Sequence, residues 1–85
     1  MNKIFVIIYI PLIEEKFEMF IPIDKEVIEI INLIIKGVNS LVDIDYIIAN
    51  ETNMYNKITG EKYVSTKKIH ETDIKNGCEL IIIWV

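Results

Sequence analysis

The chain closes on residues 79–85, ELIIIWV, six of them apolar and most of those β-branched or aromatic. A run of this length and composition reads as a strand buried on both faces. It has no polar alternation, so it belongs in the middle of a sheet, because an exposed edge this apolar would invite aggregation. Residues 3–10, KIFVIIYI, are almost as apolar. The simplest fold lays these two ends of the chain side by side and hangs everything between on them.

Eighty-five residues bury enough surface for one modest core, so a single domain over residues 1–85 is expected. The net charge is −4 and all nine basic residues are lysines. Without arginine, the bidentate guanidinium contacts that favour phosphates and bases are missing, and no basic cluster exceeds Lys67-Lys68. Nucleic acid is therefore not an expected partner. Cys78 is the single cysteine, which excludes an internal disulfide and a cysteine-based metal cluster, and fits a reducing compartment. Isoleucine, lysine and asparagine are abundant, glutamine is absent and alanine occurs only at Ala49. An AT-rich coding sequence produces such a bias, so not every isoleucine signals buried surface.

After Lys3, residues 4–13 have the outline of a short signal segment. Pro11 interrupts it, Glu14-Glu15-Lys16 closes it, and no small-x-small cleavage site follows. The run also falls well short of the roughly 18 residues of a membrane span. The expectation is a soluble, unprocessed, cytoplasmic protein, in which the sequon Asn50-Glu51-Thr52 has no consequence.

Taken in order, residues 2–10 form a first strand, with Ile4, Val6 and Ile8 on one face and Phe5, Ile7 and Tyr9 on the other. Pro11 ends it. After a turn over residues 12–15, residues 16–21 alternate cleanly: Phe17, Met19 and Ile21 inward, Lys16 and Glu18 outward, as suits an edge strand. Asp24 is a fitting N-cap for a helix over residues 25–36, with Glu26 adding negative charge to its first turn. At about 100° per residue, Val27, Ile28, Ile30, Ile31, Ile34 and Ile35 gather on one arc, and only Leu33 falls among the polar positions. Gly37 is the expected stop. A third strand follows over residues 44–50. Residues 51–65 read as a loop with a short strand near Tyr63-Val64, and residues 67–73 as a brief helical turn. Asn76-Gly77 is the strongest turn signal and feeds the last strand.

Strand, strand, helix, strand, short strand, strand, with both ends central, is the β-grasp arrangement: an α+β fold with a mixed four- to five-stranded sheet packed on one helix. The residues resemble ubiquitin-like domains. Lys3-Ile4-Phe5-Val6 is similar to their opening strand, and residues 69–80, IHETDIKNGCEL, to their closing segment with its Asn-Gly-x-x-Leu step. The Asn-Gly form, with Lys57 and Gly60 upstream, most resembles the YukD/EsaB family, small ubiquitin-like proteins associated with bacterial type VII secretion. Conjugated members and sulfur carriers end in a flexible Gly-Gly tail that threads an enzyme channel. Trp84-Val85 stands there instead, which implies a non-conjugated protein and disfavours a sulfur carrier; proteins similar to YukD also lack the tail.

No catalytic constellation emerges. His70 is the only histidine and reads as an exposed loop residue; a zinc site of usual type needs more. Cys78, at the mouth of a buried strand, reads as a small apolar core residue. Asp43, Asp45 and Asn50 lack EF-hand spacing, Glu14-Glu15 is a solvated turn, and Gly37, Gly60 and Gly77 are isolated. Neither an enzyme nor a cofactor or metal site is expected.

What remains is surface. If Leu80, Ile82 and Trp84 face the core, Ile81, Ile83 and Val85 face out, together with Phe5, Ile7 and Tyr9 of the first strand and Ile47 of the third. Ubiquitin-like domains place a hydrophobic partner-binding patch in this region. The resemblance therefore implies a protein-binding site at Phe5, Ile7, Ile47, Ile81 and Ile83, since large apolar patches mark interfaces. The bland alternative is isoleucine bias with lysine stems as cover. The expected function is a protein-interaction or regulatory module, an accessory of a type VII secretion system that meets membrane-associated machinery through a partner. The alternative is a structural homo-oligomer that associates through the same outer face.

Overall fold

The computed structural model describes the backbone of residues 2–41 and 52–84 and the side chains within 2–38 and 52–83. Strand β1 (Lys3–Ile10) runs through a 3-10 turn at Pro11–Ile13 into β2 (Glu15–Pro22). Helix α1 (Val27–Leu41) follows, then β3 (Thr52–Asn56), a second 3-10 turn at Ile69–Glu71, and β4 (Cys78–Trp84). Among the described residues the strands form one sheet in the order β2-β1-β4-β3. β1 is antiparallel to β2 and parallel to β4, while β3 is antiparallel to β4. The two apolar ends of the chain are therefore the central strands, as their composition demanded. This is the β-grasp arrangement.

The core lies between one face of the sheet and α1. Val27, Ile30, Ile31, Ile34, Ile35 and Val38 are all buried, a spacing that keeps one helical stripe on the sheet. Opposite them lie Val6, Ile8 and Ile10 of β1, Ile21 of β2, Met54 of β3, and Leu80 and Ile82 of β4. Ile69 of the second 3-10 turn and Ile74 close the far end.

Several local expectations change. The helix runs through Gly37 to Leu41. Val38 continues the stripe four residues after Ile34 and is buried, and burying a valine outweighs the roughly 1 kcal/mol that a mid-helix glycine costs. Asp24 is not the helix cap that the sequence proposed. The amides of Val27 and Ile28 donate to the carbonyls of Lys67 and Ser65 at 2.9 and 3.0 Å, and Glu29 Oε1 accepts from the Glu26 amide at 3.2 Å. The loop before the second 3-10 turn thus caps the helix, and Ile69 and His70 return the tie by donating to Lys25 and Ile23.

The residues expected as a third strand, 44–50, lie outside the described residues. β3 falls instead in the stretch read as a loop, where only Thr52 and Met54 point to the core. Its partner β4 supplies the pairing that so polar a strand cannot announce by itself. The chain then turns back: Asn56 donates to Glu61 and Tyr63 to Met54, around Gly60 at φ 78. The short strand foreseen near Tyr63 is thus an isolated bridge between Tyr55 and Lys62. The brief helical turn within residues 67–73 is present at Ile69–Glu71. Gly77 takes φ 86, as the Asn-Gly turn requires, and donates to the Phe5 carbonyl at 2.6 Å while Asn76 Oδ1 accepts from the Phe5 amide at 2.8 Å.

Candidate protein-interaction face

Among the described residues one helix covers the sheet, and it covers one side. Alternation along β4 then decides everything: Leu80 and Ile82 are fully buried, Ile81 is half-buried and Ile83 is 40% exposed. The expectation that this strand is buried on both faces is corrected, since no second layer exists among the described residues to cover the outer side. Phe5, Ile7 and Tyr9 share that outer face and are half-buried by their neighbours.

Strand register lays out the rest of the face. Phe20 of β2 stands opposite Phe5, and the rings meet edge to face with centroids 5.6 Å apart. Phe20 is 66% exposed, so this aromatic pair has its open side in water. One level along, Ile7 lies between Glu18 on β2 and Glu79 on β4. At the other end Tyr9, Ile81 and Tyr55 form a row across three strands, with Ile83 and Asn53 beyond. The Tyr9 hydroxyl donates to Glu79 Oε1 at 2.9 Å, and Lys57 Nζ stands 4.6 Å from the Tyr9 ring centroid. Accepting that bond, the Glu79 carboxylate raises the Tyr9 pKa, with desolvation adding to it. Two apolar clusters are thus joined through Ile7 between two carboxylates.

Of the residues read as the site, Phe5, Ile7, Ile81 and Ile83 share this face, and Ile47 lies outside the described residues. Sequence reasoning set Tyr9 on this face without counting it in the site, and left out Phe20 and Tyr55. Alternation along β2 would have placed Phe20 outward with Lys16 and Glu18. Tyr55 carried no signal, because β3 itself was hidden.

A second feature sits away from the outer face. An open apolar groove of about 190 Å³ runs between β2 and α1, lined by Phe17, Met19 and Ile21 on the strand and by Leu33, Ile34 and Gly37 on the helix. Leu33, the one apolar residue out of phase with the helix stripe, is 56% exposed on its rim.

The candidate catalytic residues are placed as follows. His70 is exposed on the second 3-10 turn. Cys78 is half-buried, and desolvation pushes its thiol pKa up, away from a thiolate. Its neighbour is a polar knot: Tyr63 Oη donates to Asp73 Oδ1 at 2.7 Å and accepts from Asn56 Nδ2 at 3.1 Å, with Cys78 Sγ 3.9 Å from the same Nδ2. Burial and the Asp73 bond raise the Tyr63 pKa strongly. Asn56 Oδ1 also accepts from the amides of Ile58 and Thr59, so this knot fastens the turn after β3. Among the described residues no group of three or more His, Cys, Asp or Glu is placed to hold a metal ion.

No family model and no curated protein matches the sequence. Solved structures do match. A chain of the ESX-5 inner membrane complex, in its MycP5-free form, superposes with a TM-score of 0.80 at 14% identity, over 100% of this chain and 21% of that one. The ubiquitin-like domain of Plasmodium falciparum Dsk2 gives 0.75 at 14% identity, over 99% of this chain and 100% of the other. A ubiquitin-like domain from an Arabidopsis thaliana protein gives 0.70 at 13% identity, over 99% and 79%. The fold is ubiquitin-like. At such identities the fold is what is shared, and the surface of this chain is set by its own residues.

Proposed function

We propose that this ubiquitin-like domain is a cytoplasmic protein-interaction or regulatory module that works by binding rather than by catalysis. Its docking surface is the outer face of the sheet, centred on Phe5, Ile7, Ile81 and Ile83 and extended by Phe20, Tyr9 and Tyr55. One observation carries this reading: the open aromatic pair and the exposed Ile83 belong to a face that the helix never reaches. The flanking Glu18 and Glu79 favour a partner with apolar side chains bordered by lysine or arginine. Among the described residues no helix is long and apolar enough to cross a membrane, so contact with membrane machinery would go through such a partner.

The sharper version of the proposal makes the domain a YukD/EsaB-like accessory of a bacterial type VII secretion system. Two observations support it: the Asn76-Gly77 step into β4, and the likeness to a chain of the ESX-5 inner membrane complex. The test is affinity purification of the tagged protein from its native cells, with retained partners identified by mass spectrometry. Components of a secretion membrane complex should be retained by wild type and lost with Ile83→Asp, whose circular dichroism should match wild type. Equal retention by both proteins overturns the outer-face site. Recovery of unrelated partners only, lost with Ile83→Asp, overturns the secretion assignment and leaves the face standing.

A further inference from the structure

The sheet has two edges, and they differ. The far edge of β3 is taken up by the returning chain, through the Tyr63 and Asn56 bonds and the Tyr55–Lys62 bridge. The far edge of β2 has no strand beside it among the described residues. An open edge is a template for another strand. The antiparallel ladder fixes which backbone groups it offers. The Ile23 amide donates to the Asn2 carbonyl at 3.0 Å, which makes that a bonded pair, and bonded pairs alternate along the register. Residues 15, 17, 19 and 21 therefore aim their N–H and C=O at β1, and Lys16, Glu18 and Phe20 aim theirs outward. Pro22 agrees with this count, because its missing N–H falls on the open side, where a strand tolerates proline.

We infer that the occupant of this edge is a second copy of the chain, joined β2 to β2 in antiparallel register about a two-fold axis at Phe17. The register follows from charge. Only pairings that set outward-aimed residues opposite one another can form a ladder. Centring on Lys16 or on Glu18 sets like charges face to face. Centring on Met19 or on Phe20 puts Lys16 or Glu18 opposite Pro22, which has no donor. Centring on Phe17 places Lys16 opposite Glu18 twice, once on each side of the axis. The two Phe17 rings then meet on the helix side, at the open mouth of the apolar groove. Because the β3 edge is already taken, the pairing closes as a dimer and does not run on as a filament. The outer faces of both copies stay open, so this inference stands apart from the proposed partner site.

Sedimentation velocity on the purified chain, from micromolar to submillimolar concentration, reads the association. Wild type should dimerise. Lys16→Glu alone and Glu18→Lys alone should each weaken the dimer by about tenfold or more, since each creates two like-charge pairs. The double swap Lys16→Glu/Glu18→Lys should restore it to within about threefold, because the pairs are only reversed. A Phe17→Cys variant in a Cys78→Ser background should form an intermolecular disulfide under mild oxidation, as the central non-bonded pair brings its Cα atoms to about 4.5 Å. A monomeric wild type overturns the inference, and so does a dimer that ignores the single swaps. A dimer broken by Ile83→Asp and untouched at Lys16 and Glu18 would place self-association on the outer face instead.

Discussion

Ile82 and Ile83 are the same residue, one peptide apart, on the same strand, and they have opposite roles. Ile82 is wholly buried under α1, while Ile83 is 40% exposed on the bare side of the sheet. The difference owes nothing to composition or local propensity. It comes from the pleat, which alternates faces, and from the one helix among the described residues, which can cover only one face. Apolar residues on the covered face are therefore accounted for by the core. On the bare face Ile83, Phe20 and the Tyr9–Ile81–Tyr55 row are accounted for only by whatever meets them.

The strongest way to break this comparison is to place a charge on each side. Ile82→Asp should abolish folding at ambient temperature, because an unpaired carboxylate in the apolar layer plus the lost side chain costs more than about 4 kcal/mol. Ile83→Asp should cost about 1–2 kcal/mol, reflecting partial burial and the poor strand propensity of aspartate. Thermal melts followed by circular dichroism distinguish them. A folded Ile82→Asp beside an unfolded Ile83→Asp would reverse the faces.

Much of the covered face was legible in the sequence. The period of α1 places Val27, Ile30, Ile31, Ile34 and Ile35 on the core side and misses Val38, and the alternation of β1 and β2 does the same for Val6, Ile8 and Ile21 and misses Ile10, because each element carries enough apolar residues to show its own phase. Two things were not legible. β3 contributes only Thr52 and Met54 to the core, so its strand character is conferred by pairing with β4 and leaves almost no pattern of its own. The capping of α1 by the carbonyls of Ser65 and Lys67 is a contact across the fold, whereas the sequence offered only the nearby Asp24. On the bare face the alternation of β1 and β4 located Phe5, Ile7, Ile81 and Ile83. The charges beside Ile7 and the aromatic partner of Phe5 needed the strand register, which no single strand contains.

A second prediction sharpens the boundary between the two faces, where the covered layer meets the turn after β3. Tyr63 is buried and holds Asp73 and Asn56 together through its hydroxyl. Tyr63→Phe should cost about 1–2 kcal/mol at neutral pH, since it leaves a carboxylate and an amide without their partner. Tyr63 has a folded pKa raised above its unfolded value. Its contribution is therefore fully present below the ordinary tyrosine pKa of about 10 and is lost as pH rises above that. The stability gap between wild type and Tyr63→Phe, measured by urea denaturation, should be constant near neutrality and shrink in alkaline buffer. A gap that widens there would mean that the hydroxyl is not held in its protonated form.

The smallest effect tests the helix that makes one face covered and leaves the other bare. Gly37 sits inside α1, where glycine lowers stability through the freedom it has in the unfolded chain. A Cβ built there meets, beyond its chain neighbours and the surrounding helix backbone, no described atom within 4 Å, so alanine gains helix propensity without a clash. Gly37→Ala should stabilise the domain by about 0.5–1 kcal/mol. For a chain of this size that corresponds to a rise of roughly 2–8 °C in melting temperature, readable by calorimetry. The same change at Gly77 should destabilise, because φ 86 suits glycine and not alanine. The contrast matters because the sequence read Gly37 as a helix stop and Gly77 as a turn residue. If Gly37→Ala lowers the melting temperature as Gly77→Ala does, then α1 ends at Gly37 in solution. Val38 would then leave the buried stripe, and the covered face would be one helical turn shorter than its packing against the sheet requires.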